Sequence, residues 1–172
     1  PEDMVVAHEL VHALQDQHFD LAHLTDRELD NDDVALAIQS LVEGDASYFM
    51  LARLLQGMGQ DIDAINLSLF SGMMDQATAG QGALDTAPAF LRETLLFPYI
   101  QGMLFAQKVK LRGEGLGAVD GAFARVPLSS EQVLHPERYT GDQPDWPTAV
   151  DLPDLASVVG PGWTTLDDNT FG

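Results

Sequence analysis

Two histidines and a glutamate near the start of the chain have the spacing of a metal-binding and acid–base group. His8 and His12 lie four residues apart, so on a helix both imidazoles project from one face and can reach one metal ion. Glu9 points to the edge of that face, where it can accept a proton from water activated by the metal. The pattern predicts a metal site with a proton acceptor beside it. The alternative is an amphipathic helix that carries two surface histidines by chance.

A third ligand is expected from a long apolar helix predicted over residues 33–56, with Asp32 or Asp33 as its N-cap. Most of that helix is apolar, but Glu43 lies at the centre of a narrow polar stripe. Ionised carboxylates are rarely buried without a partner or a metal, so Glu43 is the candidate third ligand of a His₂Glu site. The adjacent Gly44 would let another backbone come close. Because the chain has no cysteine, a transition-metal site has to use histidines and carboxylates.

The helix that carries the two histidines is predicted over residues 3–17. Helical periodicity puts Glu9, His12 and Asp16 in the same polar quadrant as His8. The opposite face is apolar, and we expect it to pack into the core. Its residues are Val6, Ala7, Leu10, Val11, Ala13 and Leu14.

The rest of the chain predicts a mainly α fold in a single domain over residues 1–172, with little β structure. Further helices or capped turns are predicted over residues 63–74, 89–110, 116–125 and 131–134. Pro98 is expected to kink or divide the second of these. Residues 77–87 have the composition of a flexible loop, and residues 158–165 could hold one strand. Prolines and glycines are dense from about residue 140, which predicts an irregular C-terminal segment.

The net charge is the most unusual feature of the composition. Twenty-seven acidic residues against eight basic ones give a net charge of −19. Such a chain has no basic surface that could follow phosphates, which excludes nucleic-acid binding as a function class. Aspartate exceeds glutamate, and Lys108 and Lys110 are the only lysines. This balance favours a halophilic protein over an ordinary acidic secreted protein.

No apolar run is long enough to predict a transmembrane segment. The chain opens directly on the motif helix without an initiator methionine, so we expect a fragment of a longer protein.

The segment HELVHALQD (residues 8–16) resembles the active-site helix of thermolysin-type zinc peptidases, the gluzincins. HELVHALQDQHFDL together with LVEGDA also resembles a set of haloarchaeal and bacterial surface or secreted HExxH proteins, as does the segment of residues 129–139. The resemblance implies a zincin-like helical domain with an active-site helix and a second helix that bears the ligand Glu43. It also implies one Zn²⁺ held by His8, His12 and Glu43, with Glu9 as the general base.

The chain departs from the gluzincin pattern around the third ligand. The family has Asn before the ligand Glu and Asp four residues after it, where this chain has Val42 and Ser47. Asp45 is expected to project to a different face. Asp16 is the better candidate to support a ligand histidine from outside the ligand set.

Hydrolysis also requires a donor to the oxyanion that forms on the substrate. His135, Tyr139 and Tyr99 are the candidates in this chain. For the tyrosines the alternative is a core position with a hydrogen-bonded hydroxyl, and for His135 it is a loop cap. His18 and His23 fall outside the motif and are expected to be surface residues.

Three functions are compatible with these features. The first is a zinc-dependent peptidase that acts on a peptide or protein substrate outside the cell or at its surface. The second is a non-catalytic cell-surface or interaction module in which zinc is a structural tie. The third is an intracellular halophilic scaffold whose HExxH motif is incidental. The intact Glu9 favours the first, because a purely structural zinc would not require it.

Overall fold

The computed structural model describes residues 2–26, 31–69, 71–72, 86–150, 152–160, 162–166 and 168–170. The chain is mainly α-helical, as predicted. The helices are α1 (Glu2–Phe19), α2 (Leu21–Asp26), α3 (Asp32–Gly57), α4 (Ala89–Arg112), α5 (Leu116–Ala124), α6 (Ser130–Leu134), α7 (Pro136–Thr140) and α8 (Leu155–Val159). A 3-10 turn spans Ile62–Ala64, and residues 67–69 and 71–72 are helical.

The part of the chain that the structure describes contains no strand. The prediction of a strand over residues 158–165 is therefore wrong, since α8 covers the first part of that range. Most of the predicted loop at residues 77–87 lies outside the described residues. In the same described ranges, no helix is both long and apolar enough to cross a lipid bilayer.

The two longest helices, α3 and α4, pack along each other and form the centre of the fold. Their backbones meet where both carry glycine. A Cβ added to Gly44 would lie 2.1 Å from the carbonyl carbon of Gly102, and one added to Gly102 would lie 2.1 Å from the carbonyl oxygen of Ser40. This confirms the close approach expected at Gly44, one residue from Glu43. The helix α4 runs through the buried Pro98 without dividing there.

Apolar side chains form two clusters along α3. The first surrounds its N-terminal half, where Leu41 and Ala37 meet Phe105 of α4 and Phe123 of α5. The second surrounds its C-terminal half and includes Leu51. The polar face with Glu43 is thus carried by a helix that is anchored along its whole length.

The N-terminus of α3 is capped by Asn31, whose side chain accepts a hydrogen bond from the backbone N–H of Val34 at 3.0 Å. The prediction of Asp32 or Asp33 as the cap was wrong by one or two positions. The Asp33 carboxylate has a different partner, because it accepts from the backbone N–H of Ser130 at 2.9 Å and links α3 to α6.

The inward face of α1 agrees with the prediction only in part. The side toward α3 carries His8, His12 and the buried Gln15, and Ala7 and Val11 of the predicted apolar face are partly buried. The side chains of Val6, Leu10 and Leu14 remain 55%, 59% and 55% exposed. The two histidines contact Glu43 of α3, and with that side turned inward the rest of the predicted apolar face lies at the surface.

Candidate metal centre

Two ring nitrogens and one carboxylate oxygen converge between α1 and α3. The His8 Nε2 lies 3.0 Å from His12 Nε2 and 3.1 Å from Glu43 Oε2, and His12 Nε2 lies 3.3 Å from the same oxygen. The predicted ligands are therefore brought together across 35 residues of sequence between His8 and Glu43. Together they could hold a metal ion.

The chemistry and spacing of these donors fit a small divalent cation. Ligand atoms held tetrahedrally about 2.0–2.1 Å from zinc lie about 3.3 Å from one another, close to the separations seen here. If both imidazoles are neutral, two nitrogen lone pairs and a carboxylate oxygen can face one point. A cation at that point relieves their mutual repulsion. Two imidazoles and one carboxylate form a donor set that zinc and other divalent transition metals such as Fe²⁺ use in proteins.

The three ligand side chains are partly buried. The side chains of His8, Glu43 and His12 retain 14%, 19% and 20% of their exposure. Glu9 is exposed on the adjacent edge of α1. Solvent therefore has access to the ligand group and to the neighbouring Glu9.

Gln15 connects His12 to α3. Its Oε1 lies 2.9 Å from His12 Nδ1, while its Nε2 donates to the carbonyl oxygen of Val42 at 3.1 Å and to Asp45 Oδ2 at 2.8 Å. Burial raises the pKa of Asp45 to about 6, and the nearby charge of Asp120 adds to the rise. The hydrogen bond from Gln15 and the proximity of His12 partly oppose it. Asp45 is therefore linked to the ligand His12 through hydrogen bonds of Gln15.

Besides the contacts of its Nε2 with His12 and Glu43, His8 packs against an aromatic ring. Its ring stacks with that of Tyr99 at a centroid distance of 6.3 Å and an interplanar angle of 28°. Its Nδ1 is buried and has no hydrogen-bond partner among the described residues. Burial raises the pKa of Tyr99, and the carboxylates of Glu43 and Glu9 raise it further, so its hydroxyl remains protonated at neutral pH. Tyr99 is thus the predicted oxyanion donor that lies beside the site.

The other predicted site residues lie elsewhere. Asp16 is exposed and accepts from the backbone N–H of Leu21 at 3.3 Å, so Gln15 and not Asp16 contacts His12. Tyr139 is buried in the core, where its hydroxyl donates to the carbonyl oxygen of Arg125 at 2.6 Å. The prediction of Tyr139 as an oxyanion donor is wrong, because that hydroxyl is already committed.

His135 lies at the junction of α6 and α7 with its side chain 54% exposed. Its Nδ1 lies 3.5 Å from Glu137 Oε1, and none of the contacts of its ring joins it to His8, His12 or Glu43. His135 is thus outside the group of three ligand residues, and its role as an oxyanion donor stays a prediction. His18 and His23 are at the surface, as predicted.

Gln15 was missed as a functional residue. The available signal was its position three residues after His12, which puts its side chain on the same face of α1 as both histidines. A polar residue there has to be either solvated or paired, and the burial of that face makes it paired.

A second polar cluster lies away from this centre. Lys110 Nζ donates to Tyr48 OH at 2.7 Å and to Asp63 Oδ2 at 2.6 Å, and Tyr48 OH donates to Asp63 Oδ1 at 2.6 Å. A cavity of about 440 Å³ adjoins it, lined in part by Tyr48, Lys110 and Arg53. Neither the motif histidines nor Glu43 line that cavity. The cluster ties the 3-10 turn to α3 and α4.

Comparison of the chain with protein-family models, with curated proteins and with solved structures gives no match in any of the three.

Proposed function

We propose that this chain is a zinc-dependent peptidase domain, in which His8, His12 and Glu43 hold Zn²⁺ and Glu9 is the general base. The observation that carries the proposal is the convergence of two Nε2 atoms and one carboxylate oxygen within 3.0–3.3 Å, beside an exposed glutamate. A zinc ion bound there would polarise the scissile carbonyl and increase the acidity of water at the site.

The residues of the chain supply the remaining chemistry. Glu9 follows His8 directly, so its carboxylate lies at the rim of the ligand group and can accept a proton from the attacking water. It can then pass that proton to the leaving amine. Tyr99 holds its hydroxyl proton and lies against His8, which suits it to donate a hydrogen bond to the developing oxyanion. The resemblance to surface or secreted HExxH proteins supports an extracellular or cell-surface location.

An interaction module with a structural zinc is the second candidate, and the exposed apolar face of α1 favours it. A structural zinc site is usually closed by a fourth protein ligand. Within the described residues the group has three members, which favours the peptidase.

The test is hydrolysis of a quenched-fluorescent peptide library by the zinc-loaded protein in high salt. Glu9→Gln is expected to keep its zinc and to lose activity by about 10²–10⁴, because the proton acceptor is removed and the ligands are untouched. Glu2→Gln, which removes an exposed acid from the same helix, is the matched control and should retain activity. Equal hydrolysis by the wild type and Glu9→Gln would rule out this mechanism.

A further inference from the structure

The side chain of Gln15 is polar, only 3% exposed and wedged between the two helices that carry the metal ligands. The two ends of its amide face different groups. Oε1 faces the ring of His12, whereas Nε2 faces the Val42 carbonyl oxygen and the Asp45 carboxylate. Val42 and Asp45 flank Glu43 on α3, so one amide joins both halves of the ligand set.

The partners on α3 decide which way round the amide sits. A backbone carbonyl oxygen can only accept a hydrogen bond, so the amide NH₂ has to face Val42. Asp45 Oδ2 accepts from the same NH₂. In the reverse orientation, Oε1 would point at two acceptors and both would lose their donor. The amide oxygen is therefore directed at His12 Nδ1.

That orientation determines where His12 carries its proton. An amide oxygen has no proton to donate, so a hydrogen bond at 2.9 Å requires the proton to be on Nδ1. In the neutral ring Nε2 is then bare, and its lone pair points toward His8 Nε2 and Glu43 Oε2. This is the form of imidazole that can bind a metal without first losing or moving a proton.

We propose that Gln15, oriented by Asp45 and the Val42 carbonyl, is a positioning residue that holds His12 in its Nδ1–H tautomer and so prepares Nε2 for the metal. The inference rests on the proposed metal site for its purpose, but the tautomer is a property of the metal-free chain. His8 provides an internal contrast, since its Nδ1 has no hydrogen-bond partner among the described residues. Loss of Gln15 therefore acts directly on the tautomer of His12, whereas His8 has no contact with Gln15 and can respond only through the 3.0 Å contact between the two Nε2 atoms.

The first test is the ¹⁵N NMR spectrum of the histidines in metal-free protein, at a pH where the rings are neutral. The wild type should show His12 as the Nδ1–H tautomer. Gln15→Leu, of similar size, should shift His12 toward a mixture of the two tautomers. Gln17→Leu, on the exposed side of the same helix, is the matched control and should leave both rings unchanged.

The second test is zinc affinity, measured by competition with a chelator. Partners of this kind outside the ligand set typically contribute about 10–100-fold to metal affinity, and Gln15→Leu should lose an amount in that range. Gln15→Glu should also bind weakly, because its carboxylate would face Asp45 and the Val42 oxygen. Adding Asp45→Asn restores a donor opposite the new carboxylate, and should recover part of the lost affinity, since the Val42 oxygen still faces an acceptor.

The outcomes separate this inference from the proposed function. If the wild type binds no zinc, the proposed function fails, and the NMR comparison still decides the role of Gln15. If Gln15→Leu leaves the His12 tautomer unchanged, the inference is overturned. The inference is equally overturned if the double variant Gln15→Glu/Asp45→Asn folds with wild-type helicity and still binds zinc as weakly as Gln15→Glu. Gln15 would then be only a packing residue.

Discussion

At the scale of single residues, the two histidines of the site are held in place by different forces. A hydrogen bond fixes the edge of the His12 ring, whereas stacking against Tyr99 fixes the plane of the His8 ring. A ligand ring has to be held in both plane and tautomer to bind a metal tightly. Tyr99 therefore combines a packing role for its ring with a chemical role for its hydroxyl.

Tyr99→Phe separates these two roles. The phenyl ring keeps the stacking on His8, so zinc affinity should be unchanged, while loss of the donor should lower turnover by about 10²–10³. Tyr139→Phe is the matched control. It should reduce stability by about 1 kcal/mol through loss of the bond to the Arg125 carbonyl, with turnover retained. Peptide hydrolysis and zinc content measured for both variants check this. Equal turnover in Tyr99→Phe and the wild type would show that the Tyr99 hydroxyl takes no part in the reaction.

The residue types and spacing predicted the ligand group but not the contacts around it. The i, i+4 rule put His8 and His12 together, and the cost of burying a carboxylate singled out Glu43, all of which converge. The link from Gln15 to Asp45 depends on how α1 and α3 are aligned, which a periodicity within one helix does not contain. Tyr139 and Tyr99 are the same residue type. Only tertiary packing shows that the Tyr139 hydroxyl is hydrogen-bonded in the core, whereas Tyr99 lies beside the site.

At the scale of elements, the glycine crossing of α3 and α4 positions the site. Gly44 follows Glu43, and Gly102 lies three residues after Tyr99, so the contact of the two backbones holds both functional residues near α1. A wider crossing would move Tyr99 away from the ring of His8.

Gly44→Ala tests this contact. Its Cβ would lie 2.1 Å from a backbone atom of Gly102, so the helices have to separate. Stability should fall by about 1–3 kcal/mol or more, and zinc affinity should fall with it. Gly57→Ala, on the same helix with open space around the new Cβ, is the control. It should be neutral or stabilising by up to about 1 kcal/mol. Urea unfolding checks both variants, and equal effects of the two substitutions would contradict a close crossing.

The Lys110–Asp63 pair makes a pH-dependent contribution to the attachment of the 3-10 turn. Burial raises the pKa of Asp63, but hydrogen bonds from Lys110 and Tyr48 lower it more, to below its usual 3.8. Burial lowers the pKa of Lys110, but its bonds to Asp63 and Tyr48 raise it above 10.5. The stabilisation is thus present above pH 3.8 and lost as the pH falls further. At the alkaline end it is present below pH 10.5 and lost as the pH rises through the raised pKa of Lys110.

Lys110→Met should therefore destabilise the protein most at neutral pH. We expect about 1 kcal/mol, between the values for a surface pair and for a buried charged hydrogen bond. The difference from the wild type should shrink below pH 3.8 and again above pH 10.5. Lys108→Met, two residues earlier on the exposed side of α4, is the control. Unfolding free energies across the pH range check this, and a difference independent of pH would argue against the ion pair.

The elements themselves were largely predictable, but the orientation of α1 was not. Long apolar periodicity predicted α3 and α4. The capped turn predicted over residues 131–134 is α6, and its cap is Ser129, which accepts from the backbone N–H of Gln132. For α1, the usual preference for apolar burial predicted only part of the inward face, since Ala7 and Val11 are partly buried but Leu10 is exposed. The contacts of His8 and His12 with Glu43 also determine the orientation of α1, and the hydrophobic periodicity of one helix contains no information about them.

At the scale of the whole molecule, the net charge is −19. With eight basic residues against twenty-seven acidic ones, most carboxylates cannot have a cationic partner. Repulsion between carboxylates reaches about 30 Å at 0.01 M salt and about 3 Å at 1 M. The folded state brings these charges together and should therefore be favoured by salt.

A thermal melt in 0.01 M and in molar NaCl should show a marked rise in Tm with salt. For a chain of this size each kcal/mol of relieved repulsion corresponds to about 2–4 °C. Sucrose at equal osmolality is the control, because it does not screen charge. A Tm that is the same at both salt concentrations would contradict salt adaptation and would indicate an ordinary acidic protein.

The most direct test of the site is zinc binding by the metal-free protein, measured by competition with a chromophoric chelator. The expected result is one zinc per chain. His8→Ala and His12→Ala should lose tight binding, and Glu43→Gln should bind at least about 10-fold more weakly while remaining folded. Glu114→Gln, an exposed acid outside the site, should bind as the wild type does. Wild-type protein without stoichiometric zinc, or Glu43→Gln that binds zinc as tightly as the wild type, would contradict the assignment of these ligands.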